Sequence, residues 1–278
     1  MTKKIVAFQG EAGAYSEAAA YAYFGKDAST LPCKSFDALF AAVSTGKATH
    51  GMAPIENSLA GSIHRNYDLL LRNELFIIGE YHHRVSHCLM ALPGVALQDL
   101  KRVYSHPQAL AQCENSLLAL SLPPVVAADT AGSARALKEN NDQVSGALAS
   151  ELAAQVYGLD ILQRNMEDNP VNYTRFLALA PQKNDERREG DYRTSIAFSL
   201  INKPGILFNA LSIFALREID LTKIESRPQA GKAWKYLFHI DFIGHVDDES
   251  VGNALNHLRE IAPFIRVFGS YPREEREW

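Results

Sequence analysis

The chain has 278 residues, 47% hydrophobic and 22% charged, a balance that supports one large domain plus a small one and excludes a disordered chain. Its formal net charge of -4 and pI of about 6.1 exclude a surface built to wrap nucleic-acid phosphates, which needs clustered Lys and Arg. No signal-peptide core follows Met1, no apolar run is long enough to span a membrane, and Cys33, Cys88 and Cys113 are too scattered for a disulfide framework or a zinc site, so a reducing cytoplasm is expected.

In chain order, a strand is predicted over 4–8, a turn at Gln9-Gly10-Glu11-Ala12-Gly13, and a helix over 16–24. Ser35 is the expected N-cap of a second helix that buries Leu39, Phe40 and Val43, and a strand follows over 51–55. A helix over 62–72 precedes strands over 75–81, 85–92 and 102–104, and Pro107 opens a helix through Leu120. Then come a strand over 125–127, a helix over 130–139, a strand over 146–149, a helix over 150–157 and a strand over 174–179. Such alternation predicts an α/β fold with mainly parallel sheets and ligand sites at the strand ends.

Between residues 181 and 193 the hydrophobic pattern stops and Lys183, Asp185, Glu186, Arg187, Arg188, Glu189 and Asp191 crowd together, as in a solvated linker. Beyond it the order is strand 194–200, helix 206–216, strands 220–226 and 236–243, helix 249–259 and strand 264–270. That is the ferredoxin-like βαββαβ order. The expected division is therefore 1–180, a linker over 181–193, and 194–278.

The candidate chemistry lies in loops that follow strands. Pro54-Ile55-Glu56-Asn57-Ser58 places a carboxylate, an amide and a hydroxyl there, though turn and capping needs explain Asn57 and Ser58 equally well. Ser105-His106-Pro107-Gln108 and Asp129-Thr130-Ala131-Gly132-Ser133 both open helices, where N–H groups favour an anion or an ordinary cap. Asn172-Tyr173-Thr174-Arg175-Phe176 sets an amide, a hydroxyl and a guanidinium at the start of an apolar strand, with a structural ion pair as the alternative role of Arg175.

Together these stretches resemble prephenate dehydratase: Gln9-Gly10, Gly13-Ala14-Tyr15-Ser16, Pro54 through Ser58, Ser105-His106-Pro107-Gln108 with Gln112, and Thr174-Arg175-Phe176, in that order over nearly the whole chain. The resemblance implies a two-lobed catalytic domain similar to type II periplasmic binding proteins, with the ligand cleft between the lobes. It also implies conversion of prephenate to phenylpyruvate, driven by aromatisation and needing neither metal nor other cofactor. Thr174, Glu56, Asn57, Ser105 and Gln112 are the implied catalytic residues; Ser16, Ser58, His106, Thr130, Arg175 and Phe176 are the implied substrate-binding ones. Thr174 is expected to hydrogen-bond the leaving hydroxyl, with Glu56 as the alternative acid.

The C-terminal unit resembles an ACT domain through Asn202-Lys203-Pro204-Gly205-Ile206-Leu207-Phe208 and Glu225-Ser226-Arg227-Pro228. This implies phenylalanine as allosteric effector, held by Asn202, Gly205, Ile206, Leu207, Phe208, Glu225, Ser226 and Arg227, in a homodimer or homotetramer. Two rival readings stand beside it. The stretch from Gly61 to Leu71, and Ala131 where many bacterial enzymes have a hydroxyl, look like plant-type arogenate dehydratases, which act on the aminated relative of prephenate. The two-lobed fold also suits a non-catalytic binding module.

Overall fold

The computed structural model describes residues 4–184, 186–228 and 236–274; of the expected linker, Asp185 lies outside them. The first lobe begins with β1 (Ile5–Gln9), α1 (Tyr15–Phe24), β2 (Ser29–Cys33), α2 (Phe36–Ser44), β3 (His50–Asn57), the two-residue β4 (Gly61–Ser62), α3 (His64–Arg72) and β5 (Phe76–Arg84). The second runs through β6 (Cys88–Ala91), β7 (Arg102–Ser105), α4 (Pro107–Gln112), α5 (Glu114–Ala119), β8 (Pro124–Val126), α6 (Thr130–Asn140), β9 (Ser145–Ala149), α7 (Glu151–Tyr157) and β10 (Asp160–Gln163). The chain then returns to the first lobe as β11 (Tyr173–Ala180).

The first sheet has the order β2-β1-β3-β11-β5 with β4 hairpinned onto β3, and the second β10-β6-β9-β7-β8. Val6, Ala7 and Phe8 are wholly buried because β1 lies inside a sheet with helices over it, so its apolar run is continuous rather than alternating. The expected two-lobed architecture is present. The second sheet is more mixed than expected, since β6 runs antiparallel to both β9 and β10. The short β10 at its edge was not expected, because Asp160 and Gln163 leave only two apolar residues to read.

Local chemistry sets the helix ends. The Ser35 hydroxyl accepts from Ala38 N at 3.2 Å and starts α2, as expected. The single helix expected from Pro107 breaks at Cys113, whose φ of -119° and ψ of 19° leave the helical region. The Asp168 carboxylate accepts from Asn115 N at 3.0 Å and Ser116 N at 3.2 Å, so a side chain from another segment caps the second piece as α5.

The C-terminal elements are β12 (Tyr192–Ser199), α8 (Ile206–Ala215), β13 (Leu221–Pro228), β14 (Tyr236–Ile243), α9 (Glu249–Ile261) and β15 (Phe264–Pro272). They form the sheet β13-β14-β12-β15, with α8 and α9 packed on Ile196, Phe198, Ile240 and Phe242. This is the expected ferredoxin-like unit. The compact bodies, however, depart from the division expected at 180 and 194: one is Met1–Asn66 with Tyr81–Phe176, the other Tyr67–Glu80 with Leu177–Trp278. The reason lies within the second body. There Arg266 donates to the carbonyl oxygens of Leu71, Asn73 and Leu75 at 3.1, 2.7 and 3.1 Å, and the Arg193 guanidinium pairs with Glu80.

Candidate active site

Within the first body a cavity of about 220 Å³ is walled by Tyr15 and Ser16 of α1, Pro54 and Asn57 of β3, His87 between the sheets, Gln112 of α4, Thr130 of α6, and Thr174 and Phe176 of β11. Among the described residues, no Asp, Glu, Lys or Arg lines it. An anion there would therefore meet hydroxyls, amides, imidazoles and backbone N–H groups. Nor, among the described residues, is any group of His, Cys, Asp or Glu arranged to hold a metal ion.

The cavity floor is one chain of hydrogen bonds. Asn57 Oδ1 accepts from Leu59 N at 3.0 Å and Ala60 N at 2.9 Å, which fixes its amide orientation. Its Nδ2 therefore donates to Asn172 Oδ1 at 2.9 Å, Tyr173 O at 3.2 Å and Thr174 Oγ1 at 3.0 Å. Asn172 Nδ2 in turn donates to Gln112 Oε1 at 3.1 Å, which also lies 3.0 Å from His87 Nε2. His87 Nδ1 is 2.8 Å from the Tyr15 hydroxyl, which is also 3.0 Å from Ser86 O. Burial holds the His87 imidazole below its ordinary pKa, against the Gln112 bond and the Glu167 charge, and burial raises the Tyr15 phenol well above its own.

Of the expected catalytic and binding residues, Thr174, Asn57, Gln112, Ser16, His106, Thr130 and Phe176 line this cavity. Four others do not. Arg175 lies between Thr174 and Phe176 on β11, and successive side chains on a strand point to opposite faces, so it is turned from the wall they form; Glu56, on β3, is not among the lining residues. The wholly buried Ser105 donates to Leu148 O at 2.7 Å and joins β7 to β9. The Ser58 hydroxyl donates to Val171 O at 3.1 Å and accepts from Tyr173 N at 3.0 Å, pinning the end of β3 to β11. Ala131 is buried with Ala134 and Leu137 in the core of the second lobe and is likewise outside the cavity lining.

Three residues of the network were not singled out as site residues: Tyr15, His87 and Asn172. Tyr15 and Asn172 stand inside stretches that marked the site, and Asn172 is two places before Thr174, the spacing that shares a strand face. His87 has no such signal. It sits where the chain crosses from β5 to β6, beside the returning segment before β11. His87 N donates to Glu167 Oε2 at 2.8 Å, Met166 N donates to His87 O at 2.9 Å, Val85 N donates to Asn172 O at 2.7 Å, and Glu167 pairs with Arg84 at 3.1 Å.

A family model described as prephenate dehydratase matches residues 6–184, and one described as ACT domain matches residues 194–260. The chain belongs to the prephenate dehydratase family. It is 50% identical over 276 residues to "Arogenate dehydratase/prephenate dehydratase 2, chloroplastic" of Arabidopsis thaliana, covering 96% of this chain and 72% of that protein. The prephenate dehydratase of Arthrobacter aurescens, solved in complex with L-Phe, superposes with a TM-score of 0.89 at 34% identity, covering 97% of this chain and 90% of the other. A structure described as "GqqA- a novel type of quorum quenching acylases" superposes with a TM-score of 0.91 at 38% identity, covering 98% of both chains.

In the region matched by the ACT-domain model, Gly205 has φ of 77° and is the N-cap of α8, a left-handed conformation that glycine adopts without a Cβ penalty. Asn202 and Phe208 are exposed, and Ile206 and Leu207 are partly covered. Strand alternation divides the expected tetrapeptide. Ser226 is paired with Phe238, which packs on the helix side of the sheet, whereas Glu225 and Arg227 are paired with His239 and Leu237 and share the other face. On that face the Arg227 guanidinium engages Asp68.

Proposed function

We infer that this protein is a hydro-lyase that converts prephenate to phenylpyruvate in the synthesis of phenylalanine, with L-phenylalanine as its feedback effector. The ring C–COO⁻ bond breaks and carbon dioxide leaves. Its electron pair enters the ring, the opposite C–OH bond breaks, and the departing hydroxide takes one proton to become water. Aromatisation drives the step, so the protein must orient the substrate, exclude water and stabilise the charge developing on the departing oxygen.

The observation that carries this reading is the polarity of Thr174. Its oxygen accepts the Asn57 amide, and no described residue takes its hydroxyl proton, which is left for a ligand in the cavity. Neutral amides, hydroxyls and N–H groups suit the two substrate carboxylates without locking either to a fixed cation. The test compares Thr174→Ala, Thr174→Ser and Glu56→Gln by the rise of phenylpyruvate absorbance. Near-normal turnover by Thr174→Ala would remove the role from Thr174, and a larger loss in Glu56→Gln would move it to Glu56.

Arogenate is the second candidate substrate, supported by the relatives named for both activities. Among the described residues, the cavity lining has no carboxylate to pair with its ammonium, which favours the keto acid. Offering both substrates and measuring phenylpyruvate and phenylalanine separately decides between them; no product from either would mark a binding module. A homodimer or homotetramer through the ACT domain is supported by Phe208 and Leu216, 74% and 81% exposed, and is tested by light scattering with and without phenylalanine. Three buried free thiols and the lack, among the described residues, of a helix able to cross a membrane support the cytoplasm as its location, which fractionation of the source cells tests.

A further inference from the structure

We propose that His87 is a positioning residue of this active site: by donating from Nε2 to Gln112 it fixes the amide chain that aims the Thr174 hydroxyl into the cavity. The proposal rests on the dehydratase reading of the cavity. Its logic is one of hydrogen-bond polarity, and it begins at two backbone groups that cannot reverse.

Leu59 N and Ala60 N can only donate, so Asn57 must turn its oxygen to them and its nitrogen to Asn172 and Thr174. Asn172 must then receive on its oxygen and present its nitrogen to Gln112. Gln112 is left with its oxygen facing both Asn172 Nδ2 and His87 Nε2, at 3.1 and 3.0 Å. Only a protonated Nε2 satisfies that contact. A bare Nε2 would set two lone pairs against each other in a buried site, and reversing Gln112 to relieve it would set its nitrogen against Asn172 Nδ2.

The imidazole is well placed to hold this order. His87 is 2% exposed, and its backbone is clamped on both sides by the return crossover, through Glu167 and Met166. Its other ring nitrogen meets the Tyr15 hydroxyl at 2.8 Å. Tyr15 belongs to the first lobe and Gln112 to the second, so one ring spans both walls of the cavity where the chain passes between them. Without it, Gln112 keeps only the Asn172 contact and can rotate. Asn172 and Asn57 then lose the partner that holds their orientation, and the Thr174 proton loses its fixed direction.

The test has a spectroscopic arm and a kinetic arm. In the full chain labelled with ¹⁵N-histidine, the His87 signals, identified by their loss in His87→Gln, are expected to show a protonated Nε2 near neutral pH. A bare Nε2 overturns the proposal, and this arm needs no turnover. In the kinetic arm, His87→Leu is expected to lower kcat about tenfold or more while KM changes little, because misaligned groups cost rate more than binding. His87→Gln, which offers an N–H near the Nε2 position, is expected to recover most of that rate. Equal impairment of both variants, or an unchanged kcat in folded His87→Leu, overturns it. Should His87→Leu not fold, His87→Gln is set against Gln112→Glu, whose carboxylate removes the amide's fixed polarity; equal rates in those two count against the proposal. If the parent protein forms no product from prephenate or arogenate, the dehydratase reading fails, while the Nε2 assignment still stands or falls on its spectrum.

Discussion

The Arg227 guanidinium lies 2.9 Å from the Asp68 carboxylate, so the tetrapeptide expected to sense phenylalanine is anchored to the second half of α3. The first half of the same helix carries Asn66, whose amide donates at 2.6 Å to the carbonyl of Pro54, a residue of the cavity wall. Asn66 and Asp68 stand two residues apart on this nine-residue helix. Asp68→Ala is expected to raise the phenylalanine concentration needed for half-inhibition by about fivefold, the lower end of ordinary coupling energies, with little change in turnover without effector. Unaltered inhibition curves would show that the signal does not use α3.

Asn57 makes a second prediction. In Asn57→Asp a carboxylate oxygen replaces the nitrogen that faces Thr174 Oγ1, Asn172 Oδ1 and Tyr173 O, three acceptors. The Thr174 hydroxyl would then turn to donate to that carboxylate instead of to the substrate. We expect kcat to fall about a hundredfold or more, as when a preorganised donor is lost elsewhere. The Oδ1 contacts to Leu59 and Ala60 persist, so the fold should survive, and circular dichroism beside the kinetics separates the two effects.

Asn57 and Thr174 were reached through the family resemblance of the stretches that hold them, because turn and cap chemistry alone explains Asn57 as well as a site does; both line the cavity. A motif is contiguous while a strand face takes every second residue, so Arg175 travelled with Thr174 and Phe176 without sharing their face; Glu56 and Ser58 likewise lie in a motif whose Asn57 reaches the cavity while they are outside its lining. Ser105 was drawn in as a hydroxyl beside a helix start, yet it closes a bond between two strands. His87 could not be found this way, because its role depends on two crossings 80 residues apart in the bond to Glu167. The second body was legible as a βαββαβ unit, but the transfer of 67–80 to it rests on contacts such as Arg266 to Leu71, which no local pattern announces.

Gly13 gives a prediction from close packing. A Cβ there would stand 2.6 Å from Ala153 Cα, and its φ of 86° already disfavours any other residue. The loop is pressed against α7 by the Ser150 hydroxyl, which donates to Gly13 O, and by Tyr157, which donates to Ala12 O at 2.8 Å. Gly13→Ala must part these surfaces or strain the turn, at a cost of about 2–4 kcal/mol. The measurements are the thermal midpoint and KM; because Tyr15 and Ser16 follow directly in the cavity wall, both should worsen together.

His239 is expected to weaken the second body in acid. It is 4% exposed, its ring is stacked on Phe268 at 5.9 Å and edge-on to Tyr67 at 4.9 Å, and burial pushes its pKa down to about 4. Asp241, Asp68 and Glu225 oppose that shift and Arg227 adds to it. In the unfolded chain the imidazole titrates near 6.5, so the unfolded state takes up a proton that the folded state refuses. The stability tied to this neutral ring is therefore whole above about pH 6.5 and is lost as pH falls toward 4, by up to about 3 kcal/mol. His239→Phe keeps an aromatic ring against Phe268 and cannot titrate. Urea unfolding followed at pH 7.5, 6, 5 and 4, roughly spanning that window, should show the parent losing stability more steeply than the variant. Parallel losses in the two proteins would assign the acid sensitivity to other groups.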